Sequence, residues 1–308
     1  MELKHDSAIL DSAILDSAIL DSAILDSAIP DSAIPGCPMT LDPSTLQQRW
    51  PVPSDPRPIV ILGTGDIVRN AHLPAYAMAG LPVAGVLDIL PQRSREVAEQ
   101  FGIPRVFDSI EEAVAEKAVV FDVAVPPDHL LAIVRQLPER AVVLMQKPMG
   151  TDLASARQIA EVCREKQLVA AVNFQLRFSP VMLVAADLIR RGLIGPITDV
   201  EVHMNYYVPW ELFPFLKQQK RVDMLIASIH HFDLIRSILG EPEGVYARSI
   251  PHPKYPDIEA TRTSAILDYG MQTRCCLSLN NCWSFGRKHQ TCTIRVEGLK
   301  GAVVANLG

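Results

Sequence analysis

From Pro58 onward the chain alternates short apolar runs with helix-length amphipathic stretches, a rhythm that few folds accept. The runs Ile59-Val60-Ile61-Leu62, Val83-Ala84-Gly85-Val86-Leu87 and Val142-Val143-Leu144-Met145 have no polar face, as in strands buried on both sides. A strand that re-enters the same sheet after a helix runs parallel to its predecessor. The pattern therefore predicts the α/β class, with a doubly wound parallel sheet. Strands are expected at 59–62, 83–87, 105–106, 119–123, 142–145 and 169–172. The helices between them are expected over 68–78, 93–101, 110–117, 129–137 and 153–166, the last capped by Thr151 or Asp152.

Beyond a further helix at 181–191 the texture changes. Alternating strand patterns at 198–206, 244–248, 262–267, 273–279 and 291–296, with one helix at 226–239, predict an α+β unit built on a mostly antiparallel open sheet. Three regions follow: a tail and linker at 1–57, a doubly wound unit at 58–173, and an α+β unit at 174–308.

The tail is a different material. Residues 6–35 are six pentapeptides, four Asp-Ser-Ala-Ile-Leu and two Asp-Ser-Ala-Ile-Pro. A period of five turns a helix by about 500° per repeat and puts successive copies on opposite faces of a strand, so neither geometry gathers the Ile-Leu pairs on one face. The repeat reads as disordered, and prolines at 38, 43, 51, 53, 56 and 58 extend it as a linker. It also carries the formal charge: residues 1–57 hold nine acidic and three basic residues, accounting for the net −6, and the remainder balances at 26 against 26. A neutral folded part without a basic cluster argues against a nucleic-acid partner. No run approaches the roughly 20 apolar residues of a membrane helix, and no secretory signal opens the chain. The six cysteines lack Cys-x-x-Cys spacing and a partnering His-x-x-x-His, so no metal is expected, and reduced thiols in the cytoplasm are.

Gly63-x-Gly65-x-x-Val68 falls between a strand and a helix, where the backbone N–H groups around Asp66 and Ile67 face a pyrophosphate. Val68 replaces the third small residue of the usual fingerprint, which predicts a looser fit. Asp88 closes the second strand, where a carboxylate accepts hydrogen bonds from the adenosine ribose; a turn or cap role is the other reading. A carboxylate there repels a 2′-phosphate and favours NAD, while Arg93 and Arg95 keep NADP as the alternative.

Gln146-Lys147-Pro148 closes the run 141–145 and puts a lysine at the carboxyl end of a buried parallel strand, where open α/β sheets bind ligands. With the glycine turn, Val125-Pro126-Pro127-Asp128-His129, Phe174-Gln175-Leu176-Arg177-Phe178-Ser179-Pro180 and Leu225-Ile226-Ala227-Ser228-Ile229-His230-His231-Phe232-Asp233-Leu234, the chain from Pro58 resembles the glucose-fructose oxidoreductase and inositol dehydrogenase family. The resemblance implies a Rossmann domain followed by an α/β domain with an open sheet, and NAD(P)-dependent interconversion of a secondary alcohol and a carbonyl on a sugar, cyclitol or similar polyol.

On the same basis Pro126 and His129 join the cofactor site. Lys147 hydrogen-bonds the reacting oxygen and orients the nicotinamide ribose, and His230 carries the proton. Gln175, Arg177 and His231 are substrate candidates, with a domain-interface role for Arg177 and a structural one for His231 also open. Asp233 is expected to pair with Arg236.

Two motifs depart from the family. Its Glu-Lys-Pro is Gln-Lys-Pro here, which predicts a lowered lysine pKa through loss of a charge. Its aspartate one turn before the histidine is Ile226, and its glycine is Ser228. Relatives also continue well beyond the Gly298-Leu299-Lys300-Gly301 turn, so the second unit is expected to be incomplete, a truncation that exposes a sheet edge at a cost in stability and oligomer formation; a homo-oligomer through the carboxyl-terminal sheet is the expected partner arrangement. The alternative of a different class is a non-catalytic dinucleotide-binding regulator with the same fold.

Overall fold

The computed structural model describes residues 41–212, 216–217 and 220–307. The pentapeptide repeat, Cys37 and Gly308 lie outside the described residues, and so does the expectation of a disordered tail.

Ile59–Leu62 (β1) is buried at all four positions. Val83–Leu87 (β2) lies on one side of it and Val120–Val123 (β3) on the other; Val142–Met145 (β4) and Val169–Val172 (β5) follow outward. The order is β2-β1-β3-β4-β5 with every neighbour parallel. Order reverses between β1 and β3, which opens a crevice beyond the strand ends at that point. Val60, Ile61, Val86 and Val123 are fully buried, each such side chain stabilising the fold by roughly 1.5–3 kcal/mol.

The helices are Leu73–Ala79 (α1), Pro91–Phe101 (α2), Ile110–Val114 (α3), Pro127–Gln136 (α4) and Leu153–Glu165 (α5). Asp152 caps α5 in a reciprocal box with Ser155. The strand expected at 105–106 is a single bridge between Val86 and Val106. The helix expected to begin at Val68 opens instead with a π turn, Val68–His72. That turn is wider than an α turn and gives the branched side chain of Val68 room to be fully buried against Ile59 and Ile61.

Past Pro180–Arg190 (α6) the second sheet is built from Ile197–Asn205 (β6), Gly244–Ile250 (β7), Arg262–Asp268 (β8), Arg274–Asn280 (β9), Thr291–Gly298 (β10) and Gly301–Asn306 (β11). Its order is β11-β10-β6-β9-β8-β7; β6 and β9 are parallel and the other pairs antiparallel. Strand β11 had no counterpart among the sequence expectations. Met182 of α6 and Leu234 and Ile235 of Ile229–Leu239 (α7) share a core with Val200, Val202, Leu277 and Ile294. The opposite face carries exposed Tyr246 and Ile266 and the ion pairs of Arg274 and Arg295 with Asp199 and Glu201. A second π turn, Asp223–Ala227, precedes α7.

Residues 41–57, expected as an extended linker, run beside α6. The Gln47 N–H donates to Asp187 at 3.2 Å, Arg191 donates to the Thr45 carbonyl at 2.5 Å, and Trp50 meets Phe178 edge-on at 5.1 Å.

Candidate active site

The glycine turn begins where β1 ends. Gly63 has φ +98°, and a Cβ there would lie 2.5 Å from the carbonyl oxygen of Ala124, so only glycine fits between the ends of β1 and β3. Gly65 is the opposite case, since a Cβ there would meet nothing within 4 Å. The first position closes the turn and the second leaves open space above it. Asp66 and Ile67 enter the helix from that space, and both are exposed.

Asp88 ties this turn to β2. One oxygen accepts from the Thr64 backbone N–H at 2.7 Å and its hydroxyl at 3.0 Å, and the other accepts from the Leu90 N–H at 3.0 Å. Three of the roughly four acceptor positions of a carboxylate are therefore used. Arg93 lies 3.7 Å away and is about half exposed. These bonds are those of the turn role, one of the two readings of Asp88 in the sequence. The open cradle at Gly65 and the remaining acceptor position suit a dinucleotide. Pro126 is the cap residue of α4 and His129 stands exposed in its first turn, beyond the end of β3.

Lys147 follows β4 and is partly buried, which lowers its pKa. Its ammonium donates to the carbonyl oxygen of Ile226 at 2.9 Å. Gln146 does not face that ammonium. Its side-chain oxygen accepts the backbone N–H of Lys147 at 2.8 Å, and its amide nitrogen approaches His72 at 3.0 Å. Burial is thus the cause of the lowered lysine pKa, in place of the lost glutamate charge.

His230, the second residue of α7, is 8% exposed, and the edge-on ring of Phe174 is centred 6.0 Å from it. Its pKa is pushed down to about 3, first by burial and then by the positive charges of Lys147 and His231. Its Nδ1 is buried without a partner. An aspartate one turn earlier would answer both conditions, and Ile226 answers neither.

His231 is turned away from the crevice. It is 5% exposed, its Nε2 lies 3.2 Å from the Cys292 sulfur in the second sheet, and burial pushes its pKa down to about 4. Asp233 pairs with Arg177, in place of the expected Arg236, through both carboxylate oxygens, one at 2.5 Å. Arg236 instead clasps Glu241. The Arg177 pair fastens the 3₁₀ turn Gln175–Phe178 to α7. Gln175 lies in the same turn and is exposed. Trp210 is a core residue packed with Leu216, Val222 and Ile258, and its indole N–H donates to the Asn281 carbonyl at 3.1 Å.

Two polar groups escaped the sequence reading. Asp223, fully buried, accepts from Ser228 at 2.5 Å and from Asn281, and burial raises its pKa. Asp122, His72, Tyr76 and Asn173 meet under Gln146. Asp122 had a visible signal: it is an acid within the apolar run 119–123, and such a residue needs partners. Among the described residues no group of three or more His, Cys, Asp or Glu side chains could hold a metal, and no helix is long and apolar enough to cross a membrane.

Two family models match the chain. Residues 57–174 match the oxidoreductase family with NAD-binding Rossmann fold, and residues 182–304 match the GFO/IDH/MocA C-terminal domain. The chain is 30% identical over 236 residues to an inositol 2-dehydrogenase of Mycolicibacterium smegmatis, covering 68% of this chain and 66% of that protein. It is 25% identical over 187 residues to a D-apiose dehydrogenase of Paraburkholderia graminis, covering 59% and 49%. The chain spans about half the length of the first curated relatives it matches. A probable dehydrogenase from Thermotoga maritima superimposes with a TM-score of 0.70 at 19% identity, over 80% of this chain and 75% of that one, and shares the fold.

Proposed function

The chain belongs to the GFO/IDH/MocA oxidoreductase family, and from that membership and the site we infer an NAD-dependent enzyme that interconverts a secondary alcohol and a carbonyl on a sugar, cyclitol or similar polyol. Residues 58–173 form the cofactor unit and 174–308 the substrate unit. The observation that carries the reading is the meeting of Lys147, from the end of β4, with the His230 segment across the crevice.

Gly63, Gly65 and the N–H groups of Asp66 and Ile67 hold the pyrophosphate. Asp88 accepts one ribose hydroxyl, Arg93 flanks it, and Pro126 and His129 border the nicotinamide side. The dinucleotide, when bound, supplies the hydride acceptor or donor. Lys147 releases the Ile226 carbonyl and donates to the substrate oxygen, polarising it. His230 is neutral at pH 7 and so has a lone pair for the hydroxyl proton. Gln175 lines the substrate side. The described cysteines are all free, which supports a reducing compartment such as the cytoplasm. Exposed Tyr246 and Ile266 on the outer sheet face support association of two copies.

A second reading rests on His230. Protonating it puts a cation beside Lys147 with no carboxylate one turn away, so proton transfer is costly, and a non-catalytic dinucleotide-binding regulator has the same features. The readings part in one experiment: NADH and NADPH titration by fluorescence, followed by a screen of sugars and polyols for NADH production. The enzyme reading expects turnover that falls about 10²–10³-fold in Lys147→Ala with cofactor binding retained. Cofactor binding without turnover on any polyol supports the regulator, and no cofactor binding removes both.

A further inference from the structure

Beneath the lysine, hydrogen bonds run across the carboxyl ends of three neighbouring strands. Asp122 on β3 is 1% exposed and His72, at the junction of the π turn and α1, is 6% exposed. His72 Nδ1 lies 2.7 Å from Asp122 Oδ2, and the Tyr76 hydroxyl donates to the same oxygen at 2.8 Å. Burial, then Asp122, raises the Tyr76 pKa well above the ordinary phenol value, so the hydroxyl remains a donor. On the other side of the ring, His72 Nε2 lies 3.0 Å from the Gln146 amide nitrogen after β4 and 3.3 Å from that of Asn173 after β5.

Only one arrangement of protons satisfies these contacts. The Lys147 backbone N–H is a donor, so the Gln146 atom 2.8 Å from it must be the oxygen. The Gln146 amide therefore presents N–H to His72, and His72 Nε2 must carry a lone pair. Its proton is then on Nδ1 and donated to Asp122. Every link is fixed by the one before, starting from the backbone of the lysine itself.

We propose that His72 is a positioning residue for Lys147, held as the neutral Nδ1–H tautomer by Gln146, and that the glutamine at position 146 exists in this chain to match that tautomer. The inference rests on the enzyme reading only for its effect on rate; the tautomer stands without it. With glutamate at 146, both the Lys147 N–H and His72 Nε2 would face a carboxylate, and the ring would take a second proton between two acids. The groups that meet His72, from α1, β3 and the segments after β4 and β5, are Tyr76, Asp122, Gln146 and Asn173.

The test is long-range ¹H–¹⁵N correlation of the imidazoles in the full chain, with His72→Gln identifying the His72 signals among eight histidines. Wild type is expected to show the Nδ1–H pattern at pH 7, and Gln146→Glu the pattern with both nitrogens protonated. An Nε2–H ring in wild type, or no change in Gln146→Glu, overturns the proposal. Positioning is read separately from the Lys147 amide, whose hydrogen exchange is expected to quicken about tenfold in His72→Gln on loss of the support to its acceptor. Unchanged exchange in a folded His72→Gln overturns the positioning role. Should that variant not fold, Gln146→Glu carries the protonation readout, with the His72 signals assigned by selective labelling, and His72→Asn carries the exchange readout. On any substrate found, His72→Gln is expected to lower kcat about tenfold with NADH affinity kept; an unchanged kcat overturns the effect on rate. Absence of turnover in wild type would count against the enzyme reading alone.

Discussion

The ammonium of Lys147 donates to the backbone carbonyl of Ile226 at 2.9 Å, at the residue where the family resemblance implies an aspartate side chain. The lysine has kept an acceptor at this position, but the acceptor carries no formal charge and cannot take a proton. Ile226 lies in the π turn before α7, and its carbonyl is available to the lysine there.

Ile226→Asp restores the missing charge one turn before His230. A carboxylate there raises the pKa of Lys147, now lowered by burial, and that of His230, now about 3. On a polyol substrate kcat is expected to rise about tenfold, with the acidic limb of the pH–rate profile moving to higher pH. Steady-state kinetics checks both: wild type, with its histidine near 3, is expected to be flat down to pH 5 and Ile226→Asp to show an acidic limb within pH 5 to 9, and no limb together with an unchanged kcat would mean that residue 226 does not reach the histidine.

The two buried histidines also make folding sensitive to acid. Their folded pKa values, about 3 for His230 and about 4 for His231, lie below the ordinary 6.5, so the unfolded chain binds protons that the folded chain refuses. Stability is full above pH 6.5 and falls as the pH drops toward 4. Each histidine contributes up to about 1.4 kcal/mol per pH unit in that window. Urea unfolding of wild type and His231→Asn at pH 7 and pH 5 is expected to show the smaller acid loss in the variant.

Gly63 and Gly65 should separate folding from binding. Gly63→Ala sets a Cβ 2.5 Å from the Ala124 oxygen at a positive φ, and is expected to cost about 3 kcal/mol of stability or more. Gly65→Ala fills only open space and is expected to unfold like wild type while weakening NADH about tenfold or more, about 1.4 kcal/mol of binding. Thermal unfolding beside a fluorescence titration distinguishes them, and equal stability losses would contradict the geometry.

Arg177 is engaged with Asp233, a carboxylate only 5% exposed. Removing the guanidinium in Arg177→Ala leaves that acid buried and unpaired, at an expected cost of about 2 kcal/mol once the partial exposure of the arginine is discounted. A rise in KM at unchanged stability would instead assign Arg177 to the substrate. Denaturant unfolding and kinetics on the same preparation decide between them.

The parallel half was legible because unbroken apolar runs of strand length stand out: β1, β2, β4 and β5 fall where those runs are, although only β1 is buried throughout and β5 is largely exposed. The two π turns were not legible, since period-3.6 reasoning has no signature for one extra residue in a turn; the first holds His72 and the second leads into the helix of His230. Strand β11 was missed because it follows the tight Gly298–Gly301 turn and presents a largely exposed run, with four of its six positions exposed. Lys147 and His230 were singled out through their motifs, and the fold brings their segments together. The partner of Asp233 was not, because an acid near an arginine on one helix suggests a local pair, whereas Arg177 lies 56 residues away. Asp122 could have been questioned from sequence, but its two partners, His72 and Tyr76, lie about 50 residues earlier, and Gln146 and Asn173, which reach it only through His72, follow other strands.

The clasp of Asp88 on the Thr64 backbone limits what selection or engineering can do with cofactor preference. On the proposed ribose role, exchanging the carboxylate to admit a 2′-phosphate would also remove both Thr64 bonds and leave the Gly63 N–H on the Leu87 carbonyl as the loop's tie to β2, so nucleotide choice and loop integrity would be coupled. A change of preference has its freest path through outward-facing neighbours, Ile89 at 90% exposure and the half-exposed Arg93, with the acid left in place.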